Sequence, residues 1–131
     1  YYNYDLMRRL AGDRQMTDVW RLPAIGRWEK SCGKHPTQKP LSLVVRALLA
    51  STEANALVLD PFAGSSTTGI AANLIGRKFV GVDSTKAFLE LSKRRRIEYE
   101  KDYDVWCRRI PDLTRLRDSD KGKDRTMQIV R

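Results

Sequence analysis

Histidine occurs once and cysteine twice in this chain. A lone imidazole at His35 and two thiols at Cys32 and Cys107, with no C-x-x-C pair, cannot supply a zinc centre of ordinary spacing or a Cys-His nucleophile. Two isolated cysteines make no disulfide framework either, so a reduced, cytosolic setting is expected. No apolar run approaches the roughly 20 residues of a membrane-spanning helix, and the first residues lack a secretory pattern, so no membrane partner is expected. There is no Pro-Pro pair anywhere, and the chain opens on Tyr1-Tyr2-Asn3-Tyr4 without an initiator Met. We therefore expect its first residue to be a cut end.

What is abundant is positive charge. Lys and Arg outnumber Asp and Glu by 25 to 16, a net charge of +9, which suits a polyanion such as double-stranded DNA. Much of the excess sits in Lys93–Arg96, Arg108-Arg109 and residues 115–125, so basic tails alone could account for part of it. At 131 residues the chain fits one domain with a real core.

Residues 1–33 show no sustained period; Asp18–Pro23 reads as a short strand that Pro23 ends. Pro40 suits a helix start, and Leu41, Val44, Val45, Leu48 and Leu49 recur on one helical face. Ala56–Leu59 is apolar throughout and too short for a helix, which predicts a central parallel strand buried on both faces. Pro61–Ser66 forms a loop, and Ser66 or Thr67 should cap a helix that Gly76 stops. Lys78–Asp83 predicts a second strand. A longer helix follows from about Thr85 to Tyr99, with Phe88, Leu89, Leu91 and Ile97 inward. Val105–Cys107 reads as an edge strand, and residues 114–126 read as solvated and disordered. Strand, helix, strand, helix in this rhythm predicts an α/β fold, a partial Rossmann-like parallel sheet with flanking helices.

Three segments carry chemistry. Val58-Leu59-Asp60-Pro61-Phe62-Ala63-Gly64-Ser65-Ser66-Thr67-Thr68-Gly69 runs strand, loop, helix start, which gathers backbone N–H groups around a polar or anionic ligand. Lys34-His35-Pro36-Thr37-Gln38-Lys39-Pro40 precedes it, its polar groups stiffened between two prolines. Asp83 ends the second strand, where an acid suits a ribose diol, or caps the helix after it. Asp60 suits an amino group or simply a turn, and Phe62 a ligand wall or the core.

Together these segments resemble the DNA amino-methyltransferases, whose pattern is H-P-T-Q-K-P, then a helix, then D-P-F-x-G-S-G-T-T, then an acid ending the next strand. The resemblance covers about residues 33–95. It implies S-adenosylmethionine as cofactor, transfer of its methyl group to adenine N6 in preference to cytosine N4, and a cofactor pocket of His35, Thr37, Gln38, Lys39, Asp60, Phe62, Ala63, Gly64, Ser65, Ser66, Thr67 and Asp83. Ser66 stands where the family usually has Gly, at a cost in loop freedom.

It also implies a division of the chain. Residues 1–33 would be the tail of a target-recognition region, 34–102 the cofactor-binding half-domain, and 103–131 a basic C-terminal tail. The family's (D/N/S)-P-P-(Y/F/W) motif, which holds the extruded base, is absent, so no catalytic residue is assigned. The implied picture is the C-terminal part of such an enzyme, inactive alone, partnered by a catalytic half in the same or a separate chain. The half-sheet's exposed edge predicts self-association into a homodimer or a partner chain. A non-catalytic nucleic-acid-binding or regulatory module is the alternative. A dinucleotide-dependent oxidoreductase is disfavoured, because Gly64 and Gly69 do not make G-x-G-x-x-G.

Overall fold

The computed structural model describes residues 1–131. Its centre is a three-stranded parallel sheet in the order β1-β2-β3, formed by Leu57–Asp60 (β1), Lys78–Val82 (β2) and Met127–Val130 (β3). Leu57 lies opposite Lys78 and Phe79 opposite Met127. Helices α1 (Tyr4–Leu10), α2 (Leu41–Ser51), α3 (Thr67–Leu74), α4 (Lys86–Lys101), α5 (Tyr103–Arg109) and α6 (Pro111–Thr114) surround it.

The predicted order of helix and strand through residues 41–101 is the observed one. On α2, Leu41, Val45, Leu48 and Leu49 are buried and Val44 half-buried, one apolar face. Glu29, itself buried, starts this helix from outside: its Oε2 accepts from the Leu41 N–H at 2.8 Å, replacing one of the partners a helix start lacks. The small residues Gly69, Ala71 and Ala72 let α3 lie close to the sheet. A Cβ on Gly69 would stand 2.6 Å from the Phe79 ring.

Five expectations are corrected. Asp18–Pro23 forms no strand. Val105–Cys107 lies inside α5, because Trp106 turns inward to meet Trp28 and Tyr99, with ring centroids 5.1 and 6.1 Å away. The third strand is instead β3, beyond a segment that is ordered: Arg77, buried, donates to the carbonyls of Ile75, Thr52 and Asp120, and Asn55 Oδ1 accepts from Lys123 and Asp124 N–H. On α4 the inward face is Leu91, Ser92, Arg95 and Tyr99, while Ile97 points to solvent. Finally, β1 is buried on one face only, with Leu57 and Leu59 each 64% exposed.

Sequence reading missed α1 altogether. Its Leu6, Met7 and Leu10 are buried in the same core as α2, with Asn3 Oδ1 accepting from Leu6 N–H to cap it.

Candidate functional site

At the carboxyl end of β1 the chain turns sharply. Asp60 Oδ1 accepts from Phe62 N–H at 3.0 Å, so the carboxylate does cap this turn, while its other oxygen has no partner in the chain. Ala63 N–H donates to Val82 O, which ties the loop across the ends of both strands. Gly64 and Ser66 then both take left-handed backbone, φ 52° and 58°, a conformation that costs an L-residue about 1–2 kcal/mol and glycine almost nothing. Ser66 occupies the N-cap of α3 without a side-chain capping bond, and its Oγ is buried without a partner, so the expected cap is not made by it. The amides of Ser65, Thr67, Thr68 and Gly69 consequently have no acceptor within the chain.

The Lys34–Pro40 segment lies over this loop. A Cβ on Gly64 would stand 2.9 Å from His35 Nε2, so only glycine lets the imidazole come so close. The ring also packs on Phe88, centroids 4.2 Å apart, and its Nδ1 accepts from Thr37 N–H at 3.3 Å, which leaves the proton on Nε2. Gln38 is buried. Its Nε2 donates to Glu29 O at 2.9 Å, which fixes the amide's orientation and leaves Oε1 buried without a donor.

The two segments meet around one cavity of about 170 Å³. Ten of the twelve residues expected from sequence line it: His35, Thr37, Gln38, Lys39, Asp60, Phe62, Ala63, Gly64, Ser65 and Thr67. The other two stand apart. Ser66 lies beneath the loop, and Asp83 sits beside it, its Oδ2 accepting from Gly64 N–H at 2.9 Å and its Oδ1 from Thr85 N–H at 2.8 Å. Sequence reading missed Val44 and Thr68 as lining. Val44 was legible only as a core position of α2, and Thr68 only as a residue of the first turn of α3.

Behind the loop stand groups that no motif announced. Ser92 Oγ donates to Gly64 O at 2.8 Å. Arg95, 1% exposed, sends Nη1 to Ser65 O at 2.6 Å and to Ser65 Oγ and Thr67 Oγ1 at 3.0 Å each. Burial lowers its guanidinium to about 10, with Glu29 and Glu98 pulling the other way, so it stays charged at neutral pH. No group of three or more His, Cys, Asp or Glu side chains is placed to hold a metal ion.

The DNA methylase family profile matches residues 2–94. The chain belongs to the N6/N4 DNA methylase family. Its relatives in this family include the Type II methyltransferase M2.MboI of Moraxella bovis, 60% identical over 95 residues, and M2.DpnII of Streptococcus pneumoniae, 49% identical over 102. Those alignments cover 72% and 78% of this chain and 35% and 38% of the relatives, so the chain spans little more than a third of their length. Among solved structures, the M1.HpyAVI–SAM complex is 41% identical with a TM-score of 0.45, over 48% of this chain and 33% of that one. No helix of this chain is long and apolar enough to cross a membrane.

Proposed function

We propose that the chain is the cofactor-binding part of a DNA amino-methyltransferase and holds S-adenosylmethionine in the cavity between the Lys34–Pro40 segment and the Asp60–Thr68 loop. One observation carries this reading: two segments separated by a whole helix converge on a cavity walled by unused backbone amides on one side and the orphaned Gln38 Oε1 on the other. Such a pairing of donors and acceptors suits a zwitterion. The amides of Ser65, Thr67, Thr68 and Gly69, at the positive end of α3, would bind the methionine carboxylate. Gln38 Oε1 and the free oxygen of Asp60 would accept from its ammonium. Asp83 keeps a further lone pair on each oxygen for the ribose hydroxyls, so capping its turn does not exclude that role. When bound, the cofactor supplies an electrophilic methyl group on its sulfonium.

The cavity's 170 Å³ falls short of the roughly 300 Å³ at which small-molecule pockets begin. It suits the methionine end, with the adenosine reaching past Asp83 toward walls that another part of the protein completes. That part would also carry the base-holding (D/N/S)-P-P-(Y/F/W) motif and cover the bare face of β1, either in the same parent chain or as a separate subunit. The methyl acceptor is then an exocyclic amino group of double-stranded DNA, adenine N6 in preference to cytosine N4, with the +9 charge drawing the polyanion in. The free thiols of Cys32 and Cys107 suit work in the cytoplasm.

Calorimetric titration of the intact protein with S-adenosylmethionine, repeated with Asp83→Ala, tests the reading. Binding that the substitution abolishes is the expected result. An intact, folded protein that takes up no S-adenosylmethionine would overturn it.

A further inference from the structure

The loop that walls the cavity is held by groups outside both motifs. Between its two left-handed residues, Gly64 and Ser66, the chain can form neither strand nor helix, so the carbonyls of Gly64 and Ser65 need partners from elsewhere. Both come from one face of α4, three residues apart: Ser92 Oγ on Gly64 O, and Arg95 Nη1 on Ser65 O, Ser65 Oγ and Thr67 Oγ1. Ser92 is 0% and Arg95 1% exposed, so water does not compete for these carbonyls. A single guanidinium nitrogen thus meets three acceptors, while Nε and Nη2 of the same buried group have none. A guanidinium buried for packing alone would spread its donors; this one spends its only contacts on the loop.

From this we infer that Ser92 and Arg95 are positioning residues of the cofactor loop, fixing Gly64–Thr67 in the shape that leaves the Ser65, Thr67, Thr68 and Gly69 amides pointing free. The inference rests on the function proposed above for its consequence in ligand binding, but not for the clamp itself. Neither residue touches the cavity, and neither is a catalytic residue.

Arg95→Lys and Ser92→Ala, made in the intact protein, separate these statements. Lysine keeps the charge, but its chain is one bond shorter, so Nζ falls short of the position from which Nη1 meets its three acceptors. Amide hydrogen exchange reads the clamp without any ligand. Faster exchange by roughly tenfold or more is expected at Gly64, Ser66 and Ile70, whose N–H groups are bonded within or from the loop, with Phe79 N–H in the core sheet unchanged. Titration with S-adenosylmethionine should then show roughly tenfold weaker binding for Arg95→Lys. Exchange that rises equally at Phe79, or nowhere, would overturn the inference. Variants that show the exchange pattern, beside a wild-type protein that binds no S-adenosylmethionine, would overturn the proposed function while leaving the clamp standing. Altered exchange with unaltered affinity would show that the clamp does not serve the cofactor.

Discussion

Val58 and Leu59 are neighbours on β1, both branched aliphatics, yet one is 8% exposed and the other 64%. Val58 lies beneath α3, in one core with Phe79, where a Cβ on Gly69 or Gly81 would strike the Phe79 ring at 2.6–2.7 Å. Leu57 and Leu59 face the other way onto nothing, and Phe62, just beyond the strand, is 87% exposed. A parallel strand normally reads as unbroken apolar sequence because both its faces are covered. The bare face therefore keeps the composition of a buried one. That contrast supports the proposal that a further part of the protein covers this face.

The strongest test sets the two phenylalanines against each other. Phe79→Ala should cost about 3–5 kcal/mol, since it leaves a void in a close-packed core. Phe62→Ala should change the stability of this chain by less than about 0.5 kcal/mol, as for an exposed position. Urea unfolding of both variants measures the difference. Comparable losses would break the contrast between covered and bare faces.

Ser66→Gly comes next. Ser66 combines a left-handed backbone with a buried hydroxyl that has no partner, and glycine removes both costs. A gain of about 1 kcal/mol in the same unfolding experiment is expected. A loss would mean that the Oγ is satisfied in solution by a water, and that the loop on the covered side is better adapted than its geometry suggests.

On the bare face the effect is on association more than on stability. Leu57→Lys with Leu59→Lys should leave unfolding within about 0.5 kcal/mol for each substitution while lowering any self-association seen by light scattering. Unchanged self-association would move the contact elsewhere on the molecule.

How far the sequence could be read follows the same division. The elements from Leu41 to Lys101 were legible because local patterning and core packing agree there: a single apolar helix face on α2, a short apolar run at β1, and Gly76 where a left-handed stop is needed. The cavity was legible because its polar residues cluster in two short segments. What escaped depends on partners far away in the chain. Arg95 sits in a run of four basic residues, Lys93–Arg96, that looks like a solvated helix face, and nothing local marks it as the one that turns inward. Val105–Cys107 has strand-like composition, but Trp106 gains more from the aromatic cluster with Trp28 and Tyr99 than from a sheet edge. Glu29 reads as an ordinary loop charge, although it anchors both Gly26 and Leu41 N–H.

Cys32 offers the finest probe of the covered side, because it reports whether the segment before the Lys34–Pro40 rim stays closed on α4. Its Sγ lies 2.8 Å from Glu98 Oε2, and burial first, then the hydrogen bond and charge of that carboxylate, push the thiol up to about 11. The folded state thus favours the protonated thiol. Its contribution to stability is complete below the ordinary thiol value near pH 9 and is lost as pH rises through about 11. At pH 8 each unit of that rise removes about nine-tenths of the thiolate, so alkylation of Cys32 should run roughly tenfold to a hundredfold slower than for an unhindered thiol. Glu98→Gln should recover part of that rate while leaving Phe79→Ala and Phe62→Ala as far apart as before. A Cys32 that alkylates at the free-thiol rate in the folded protein would show that residues 26–33 open readily, and that the covered side is closed only from Lys34 onward.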